Sequence, residues 1–164
     1  AITAHLTDPA RNLNHLFVAE QMFNQRVADM AESSLRRDDA AKSIEVLHAI
    51  QGMGNQLNQF TFSAAPAKQG KLVLAGLEVS VFVDMIVFGN AKGEDQIGAA
   101  LLRMTQDDAS TDAAIEKRRQ MGLFVATMVR LHVDQNIESK RTPTNRLCMS
   151  VDVQRGEVFV VPLV

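Results

Sequence analysis

The fold is decided by residues 77–88, which read LEVSVFVDMIVF. Apolar side chains occupy every odd position from Leu77 to Val87, whereas Glu78 and Asp84 interrupt the even positions. Because successive side chains of a strand point to opposite faces of a sheet, this period of two predicts one long strand. Its odd face is expected to be buried and its even face to be mixed.

Two neighbouring segments extend the sheet. Residues 72–74 predict a short strand that ends in a turn or bulge at Gly76, and residues 97–104 predict a third strand. A polar, glycine-bearing loop at residues 89–95 joins the last two strands. These segments together indicate an antiparallel meander.

The region before the sheet has the spacing of helices. The Thr-Asp-Pro sequence at residues 7–9 is typical of a helix start and predicts a first helix over residues 8–35. A polar break at residues 36–39 ends this helix, and Asp38 or Asp39 caps the next one. The apolar stripe of the first helix comprises Leu13, Leu16, Phe17, Phe23, Val27 and Met30.

The second helix carries an apolar stripe from Ile44 to Phe60. Gly52 and Gly54 lie within the stripe, and a glycine inside a helix costs about 1 kcal/mol relative to alanine. The two glycines indicate either close packing against a neighbour or an early helix end, and we favour close packing.

The segment after the meander predicts a long helix followed by a hairpin. Residues 107–111 offer several N-cap side chains for a helix over residues 111–136. Residues 121–129 are apolar nearly all round, so this part of the helix is expected to cross the sheet within the core. Alternating residues at 147–153 and 158–161 then predict a β-hairpin.

The order of these elements is typical of an α+β protein. The core reads helix, three strands, helix and two strands, an αβββαββ order that indicates a mixed sheet flanked by helices. A length of 164 residues fits one domain, with an N-terminal helix in residues 1–37 and the core in residues 38–164.

Composition excludes several classes of protein. Hydrophobic residues make up 46% of the chain and charged residues 22%, as in proteins that fold, and the net charge is −2. The single cysteine, Cys148, forms neither an intramolecular disulfide nor a cysteine-based zinc site, which favours a reducing compartment. Neither a signal peptide nor a membrane-spanning stretch is evident, so we expect a cytoplasmic protein without a membrane partner. No motif indicates a bound cofactor.

The element order and Asp84 resemble the core of the PD-(D/E)xK nuclease-like superfamily. The resemblance covers roughly residues 38–162 and implies that Asp84 corresponds to the first metal-binding acid of that family. The family also carries an acid-x-lysine sequence on the third strand, whereas residues 97–103 contain neither a carboxylate nor a lysine. The resemblance therefore implies a degenerate core.

A nuclease built around Asp84 needs replacements for the missing groups. Phosphodiester hydrolysis of this kind requires at least two oxygen ligands for Mg²⁺ and a cation near the attacking water. Glu78 on the same strand and Lys117 on the long helix are the candidate replacements, with Asp84 as the metal ligand. Mg²⁺ is expected only if the protein is an enzyme. Other carboxylates that suit the role are Glu45, Glu94 and Asp95.

Basic residues cluster in one part of the chain. Between residues 115 and 146, seven lysines and arginines stand against three acidic residues. Such a region contacts nucleic-acid phosphates where its side chains share one face, and is otherwise a solvated helix surface. The candidate phosphate-contacting residues are Arg103, Arg118, Arg119, Lys140 and Arg141.

Three functions remain open on these observations. The preferred function is a non-catalytic binding module on a degenerate nuclease-like core, with nucleic acid or another protein as its partner. The second is a metal-dependent nuclease with a relocated active site around Asp84. The third is a homo-oligomeric assembly protein, in which the N-terminal helices form a homodimer.

Overall fold

Helices cover both faces of a mixed β-sheet in the computed structural model, which describes residues 1–104 and 109–162. This architecture confirms the predicted α+β class. The helices of the described residues are α1 (Ile2–Thr7), α2 (Asn14–Ala28), α3 (Ser34–Gly52), α4 (Gly54–Leu57) and α5 (Asp112–Asn136). Their strands are β1 (Thr61–Ala64), β2 (Leu72–Leu74), β3 (Leu77–Val79), β4 (Met85–Ala91), β5 (Glu94–Arg103), β6 (Thr142–Pro143), β7 (Met149–Asp152) and β8 (Glu157–Val160).

Among the described residues, six strands form the main sheet in the spatial order β1-β4-β5-β7-β8, with β6 paired to β5. β1, β4 and β5 are antiparallel neighbours, β5 and β7 are parallel, and β7 and β8 form the predicted hairpin. A parallel pair needs a crossover connection, and α5 supplies it between β5 and β7. β2 and β3 form a separate two-stranded hairpin.

The sheet separates two apolar cores. On one face, α1 to α4 pack on the sheet through residues that include Leu47, which contributes to the same cluster as Met85 of β4. On the other face, Val129 and Val133 of α5 share a cluster with Ile86. Neighbouring residues of β4 thus contribute to opposite cores, as expected for a strand that is covered on both sides.

The first helix differs from the prediction. Instead of one helix over residues 8–35, the chain forms α1 and α2 with a break that begins at Asp8. Asp8 is extended because a residue that precedes proline is disfavoured in the helical region, and its side chain accepts the Ala10 N–H at 2.9 Å. Pro9 therefore follows the end of one helix, and the prediction that it begins a long helix is wrong.

The second helix begins earlier than predicted. The Ser33 hydroxyl accepts the Arg36 N–H at 3.3 Å and caps α3, so residues 36–39 are helical and do not form a break. The expected boundary between the N-terminal helix and the core consequently lies inside α3. The helix ends at Gly52, where a Cβ atom would meet nothing within 4 Å. Close packing at this glycine is wrong, and the early helix end is confirmed.

The long strand predicted over residues 77–88 is broken in two. β3 pairs with β2, whereas β4 begins only at Met85. Between them, the Gln69 amide accepts the Val83 N–H and donates to the Val83 carbonyl, both at 2.9 Å, and so takes the place of a neighbouring strand. Leu77 is 71% exposed and Val81 is the first buried residue of the odd face, so that face is buried only from Val81 onward.

The edge strand β1 is absent from the prediction. Its four residues, TFSA, contain one large apolar side chain, Phe62, which is too short a pattern to indicate a strand. β1 forms because all four of its residues pair with β4, with Phe62 opposite Val87. Phe62 is buried, so pairing and burial are gained together.

The long helix matches its predicted range but not its predicted burial. The Thr111 hydroxyl caps α5, whereas Asp107 and Asp108 lie outside the described residues. Met121 and Phe124 are 49% and 62% exposed, so only one face of this segment is buried. α5 therefore lies on the sheet and does not cross the core. None of the described helices is long and apolar enough to span a bilayer.

Candidate functional site

Asp84 lies where β4 joins the sheet. Its main-chain N–H donates to the Ala100 carbonyl at 2.9 Å, and its carboxylate accepts the Leu102 N–H at 2.7 Å. The carboxylate therefore satisfies a main-chain donor of β5 at the point where the β4 ladder stops. Because the side chain is exposed, Asp84 is both held in place and accessible.

A groove lies beside Asp84, between the sheet and the helices α1 to α3. Its volume is about 590 Å³, which is in the range of small-ligand sites. α3 lines the groove with residues spaced by three and four, which lie along one side of a helix. We call this cavity the Asp84 groove, and its lining includes Phe23, Asp39, Lys42, Val46, Asp84, Leu102 and Met104.

The groove combines charged and apolar groups. Leu102 of β5 and Met104, just after β5, line the groove together with Asp84, and both side chains are apolar. Asp39 and Lys42 of α3 are exposed at the groove. Within the described part of the chain, no three His, Cys, Asp or Glu side chains are grouped to hold a metal ion. Thr3, Ser43 and Gln154 add polar side chains to the lining, so the arrangement can bind a small ligand of mixed polarity.

The other two candidate catalytic residues lie elsewhere. Glu78 pairs with the Lys71 ammonium at 2.6 Å in the β2–β3 hairpin, which is tied to the C-terminal end of α5 through Gln135. Lys117 is exposed near the other end of α5, about 27 Å along the helix axis from Gln135. The structure therefore does not bring Glu78 and Lys117 together, and neither residue lines the Asp84 groove.

Arg103 is not available to a phosphate. It is 9% exposed, its guanidinium lies 3.3 Å from the buried Asp152 carboxylate, and its Nε donates to the Ser150 hydroxyl at 2.8 Å. The prediction that Arg103 belongs to an exposed basic surface is wrong, because the side chain at the end of β5 points into the space between the sheet and α5.

The two arginines at the start of α5 have partners within the chain. Arg118 donates to the Ala109 carbonyl at 2.7 Å, and Arg119 donates to both oxygens of Glu116 at 2.8 Å. The Arg119 hydrogen bond lowers the pKa of Glu116 to about 2, and the same contact raises the pKa of Arg119. This pair is the i,i+3 arrangement of a solvated helix surface.

Lys140 and Arg141 lie in the loop after α5, at the other end of that helix from Arg119. Arg141 stacks over the Phe88 ring at 4.7 Å and lies 3.7 Å from the Asp95 carboxylate. A helix of 25 residues is about 37 Å long, so this loop and the start of α5 are too far apart to form one local patch. The five predicted phosphate contacts therefore do not share one face.

The sequence prediction missed a surface on α2. Leu16 is buried, whereas Leu13, Phe17 and Met22 are 50%, 56% and 63% exposed, so part of the predicted stripe points outward. Nine positions at and within α2 cover about half of the helix circumference and are all exposed and uncharged. We call these positions the α2 face: Leu13, Asn14, Phe17, Val18, Gln21, Met22, Asn24, Gln25 and Ala28.

A signal for the α2 face exists in the sequence. In residues 12–25, NLNHLFVAEQMFNQ, Glu20 is the only aspartate, glutamate, lysine or arginine. A helix that packs on one side and is solvated on the other carries charges on the solvated side. Two apolar groups on one short helix, with amides in place of charges, therefore indicate a second buried face.

His132 is fully buried in α5. Its Nδ1 accepts from the Asn136 amide at 3.3 Å, and its Nε2 has no hydrogen-bond partner in residues 1–104 and 109–162. Burial lowers the pKa of His132, because a charged imidazolium loses its hydration there. Burial likewise raises the pKa of the Cys148 thiol to about 11, which makes Cys148 an inert core residue, as predicted.

The buried histidine predicts a loss of stability in acid. The folded pKa of His132 lies below its ordinary value of 6.5, so the unfolded chain binds a proton first as the pH falls. We expect the contribution of His132 to stability to be complete above that value and to decline as the pH falls towards the folded pKa. Urea unfolding between about pH 7 and about pH 5 measures this slope.

His132→Gln is the matched variant for this measurement. The wild-type free energy of unfolding should fall more steeply with decreasing pH than that of the variant, by at most about 1.4 kcal/mol per pH unit. The comparison of slopes cancels the other histidines, which titrate in both proteins. If stability changes equally steeply with pH in both proteins, the lowered pKa of His132 is contradicted.

Comparison with known proteins adds no relative. Searches of protein-family models, of curated proteins and of solved structures found no match to this chain.

Proposed function

We propose that this chain is a non-catalytic binding module whose partner is a protein. The α2 face carries the proposal, because exposed Phe and Met side chains surrounded mainly by amides are typical of interface cores, and the exposed Arg26 lies at the border of the face, one turn after Met22. The exposed side of α3 is a contrast within the same molecule, since it carries Arg36, Asp38 and Glu45. The buried, unpaired thiol of Cys148 fits a reducing compartment such as the cytoplasm.

The partner that suits the α2 face best is a second copy of this chain. Two uncharged faces meet without repulsion, and their Asn and Gln amides can each donate and accept across a two-fold axis. Glu20 does not interfere, because it is bound to His48 of α3 at 2.9 Å. Phe17 and Met22 then supply apolar contacts of the interface.

Nucleic acid is less well supported as the partner. Arg103 is buried, Arg119 is paired, and the loop with Arg141 lies at the far end of α5. The Asp84 groove sets the carboxylates of Asp39 and Asp84 against Lys42 and the amino group of Ala1, so it is not a basic surface of the kind that binds phosphates.

Phe17→Glu tests the proposed interface. We expect the wild-type protein to sediment as a dimer at high concentration, and the variant to bind its second copy about 30-fold more weakly or not at all. A negative charge buried in a two-fold interface occurs once in each copy, so its desolvation cost counts twice. Sedimentation velocity over a concentration series measures the dissociation constant.

Phe124→Glu is the matched control. It makes the same change at a residue of α5 that is 62% exposed, against 56% for Phe17, and lies outside the α2 face. The control should dimerise like the wild type and unfold at the same urea concentration. A wild-type protein that is monomeric at every concentration, or a loss of dimer in both variants, would overturn the proposal.

The metal-dependent nuclease is the alternative, because Asp39 and Asp84 line one groove. We expect no cleavage of plasmid or single-stranded DNA with Mg²⁺ or Mn²⁺, since the described residues group no three metal-ligating side chains at Asp84. Gel electrophoresis of the substrates checks this. Cleavage that persists in Asp112→Ala, an exposed control, and disappears in Asp84→Ala would replace the binding module by an enzyme.

A further inference from the structure

We infer that the outer edge of β8 is a second docking site, which takes an extended segment of another protein as an additional strand of the sheet. The spatial order of the main sheet ends at β8. The segment carries apolar side chains at alternate positions and a lysine or arginine opposite Glu157. This site shares no residue with the α2 face, so it does not depend on dimer formation.

The main-chain groups of β8 show which side of the strand is unpaired. The Val161 N–H donates to the Cys148 carbonyl at 3.3 Å, and the register with β7 continues unbroken through β8. Main-chain groups of a strand point alternately to its two sides, so Phe159 faces β7 like Val161. Val158 and Val160 consequently face away from the sheet. Within the described residues, no hydrogen bond reaches the N–H or carbonyl group of either valine.

The chain on either side of these valines has partners of its own. The Gln56 amide donates to the Gly156 carbonyl at 2.8 Å, and the Asn145 amide donates to the Pro162 carbonyl at 3.2 Å. Pro162 has no N–H to donate. We call the unpaired groups, which are the N–H and carbonyl of Val158 and of Val160, the β8 edge. A peptide main chain offers N–H and carbonyl groups at the same spacing, so a strand satisfies all of them.

The β8 edge lacks the features that keep strands from pairing with other chains. Such features are charged side chains, bulges and covering elements. Residues 158–161 read VFVV, and the register with β7 contains no bulge. The opposite edge of the sheet differs, because α1 packs against β1 and the Arg11 guanidinium donates to the Phe60 carbonyl at 2.7 Å. Of these two edges, the β8 edge is the one suited to an additional strand.

The side chains of β8 indicate what the added strand carries. Val158 packs against the core on the α1 to α4 side of the sheet, and Val160 on the same face is 37% exposed. Apolar residues opposite these valines extend that core. Glu157 is exposed at the start of β8 on the other face, where a basic residue directly opposite forms a cross-strand ion pair. The edge therefore favours an apolar segment with one basic residue.

A second copy of this chain suits the β8 edge less well. If two β8 strands pair antiparallel about Phe159, Val158 lies opposite Val160 of the other copy. Glu157 then lies opposite the apolar Val161 and gains no charged partner. A further reason rests on the proposed function, because a second two-fold contact in addition to the α2 face joins copies into an open chain.

Amide signals of the full ¹⁵N-labelled chain test the inference. We expect acetyl-Thr-Val-Thr-Val-Lys-Thr amide to shift the Val158 and Val160 signals saturably and to slow hydrogen exchange of both N–H groups. Antiparallel pairing sets the two valines of the peptide opposite these residues and its lysine opposite Glu157. The Val73 N–H is the internal reference, because it donates to Gln135 in the separate β2–β3 hairpin and should stay unchanged.

Methylation of the peptide nitrogens separates main-chain pairing from apolar contact. In the bound peptide, the nitrogens of the two valines point to β8, whereas the nitrogen of the threonine between them points away. We expect N-methylation of either valine to weaken binding at least about tenfold. N-methylation of that threonine is the matched control and should change the dissociation constant by less than about twofold.

A proline variant assigns the site to the main chain of β8. Val160→Pro removes an N–H that the β7–β8 ladder does not use, so the strand is retained. We expect this variant to bind the peptide at least about tenfold more weakly. Val160→Thr keeps the N–H and the shape of the side chain, and should bind the peptide within about threefold of the wild type. Equal urea midpoints of the two variants show that both fold.

A charge exchange tests the cross-strand pair independently of proline. Glu157→Lys should weaken binding about threefold, and a peptide with glutamate in place of lysine should restore it. Phe17→Glu should leave the dissociation constant for the peptide unchanged, which distinguishes this site from the α2 face.

Three results would overturn the inference. The first is a lack of response of the Val158 and Val160 signals to millimolar peptide. The second is unchanged binding after N-methylation of a valine, which indicates apolar contact alone. The third is a shift of these signals with the concentration of Phe17→Glu in the absence of peptide, which would assign the edge to a second copy. Sedimentation of the wild type tests the α2 face separately, so either proposal can fail without the other.

Discussion

Replacing Asp152 with alanine is expected to lower the free energy of unfolding by about 3–5 kcal/mol. Asp152 is fully buried and lies 3.3 Å from the guanidinium of Arg103, which is itself 9% exposed. The variant leaves the Arg103 charge in the core without its carboxylate, and desolvation of an unpaired charge is the costly step. It also removes the acceptor of the Arg155 N–H in the β7–β8 turn.

Chemical denaturation of Asp152→Ala and of two further variants isolates this effect. Glu157→Ala removes an exposed carboxylate from β8, in register with Asp152, and should change stability by less than about 0.5 kcal/mol. The double variant Arg103→Met with Asp152→Ala should be more stable than Asp152→Ala alone, because no buried charge remains. If Asp152→Ala lowers the free energy of unfolding by less than about 1 kcal/mol, the Arg103–Asp152 pair is accessible to water.

Gly98→Ala is expected to cost about 3 kcal/mol, at the upper end of the range for overpacking. Gly98 lies opposite Val87 in the β4–β5 ladder. A Cβ atom there would lie 2.6 Å from the Cβ of Leu147 and closer still to the Leu147 carbonyl oxygen. Leu147 is 1% exposed and belongs to the main core, so it has no free space into which to move.

Gly52→Ala is the counterpart of this variant. A Cβ atom at Gly52 meets nothing within 4 Å, and alanine favours the helix by about 1 kcal/mol, so this variant should be as stable as the wild type or slightly more stable. Urea midpoints of both variants test the pair. If Gly98→Ala unfolded at the wild-type midpoint, the close approach of β5 to Leu147 would be wrong.

Several elements follow from local pattern alone. The range of α5 needs only an N-cap at Thr111 and the helical spacing that follows it. The tight β2–β3 turn has positive φ angles at Ala75 and Gly76, and the β4–β5 turn has them at Lys92 and Gly93. Glycine tolerates such angles, so a glycine between apolar runs is a dependable turn signal.

Other elements depend on distant partners. β1 exists because β4 pairs with it, and the break before β4 exists because the Gln69 side chain binds the Val83 backbone. No local pattern contains these contacts, since the partners are more than ten residues apart in the chain. Pro9 illustrates the same limit, because proline follows helix ends as well as occupying helix starts.

The candidate site residues also differ in how far the sequence indicates their role and how far distant partners decide it. The strand pattern places Asp84 in the sheet and the resemblance to the nuclease-like core makes it a candidate, but the groove beside it depends on α3, which lines it together with Leu102 of β5. From the sequence alone, Arg103 is a candidate phosphate contact. Its contacts with Ser150 and Asp152 of the neighbouring strand make it a core residue. A charged side chain takes its role from what surrounds it, which composition does not specify.

Periodicity and turn chemistry determined that this chain is an α+β protein with α5 and the β4–β5 and β7–β8 hairpins, because backbone preferences and the alternation of apolar residues act over a few neighbouring residues. Tertiary packing alone decided which apolar residues of α2 face inward, where Arg103 lies, and that Asp39 and Asp84 line one groove. Burial, electrostatics and the satisfaction of hydrogen bonds at these places depend on residues far apart in the sequence, which are brought together only when the sheet is assembled.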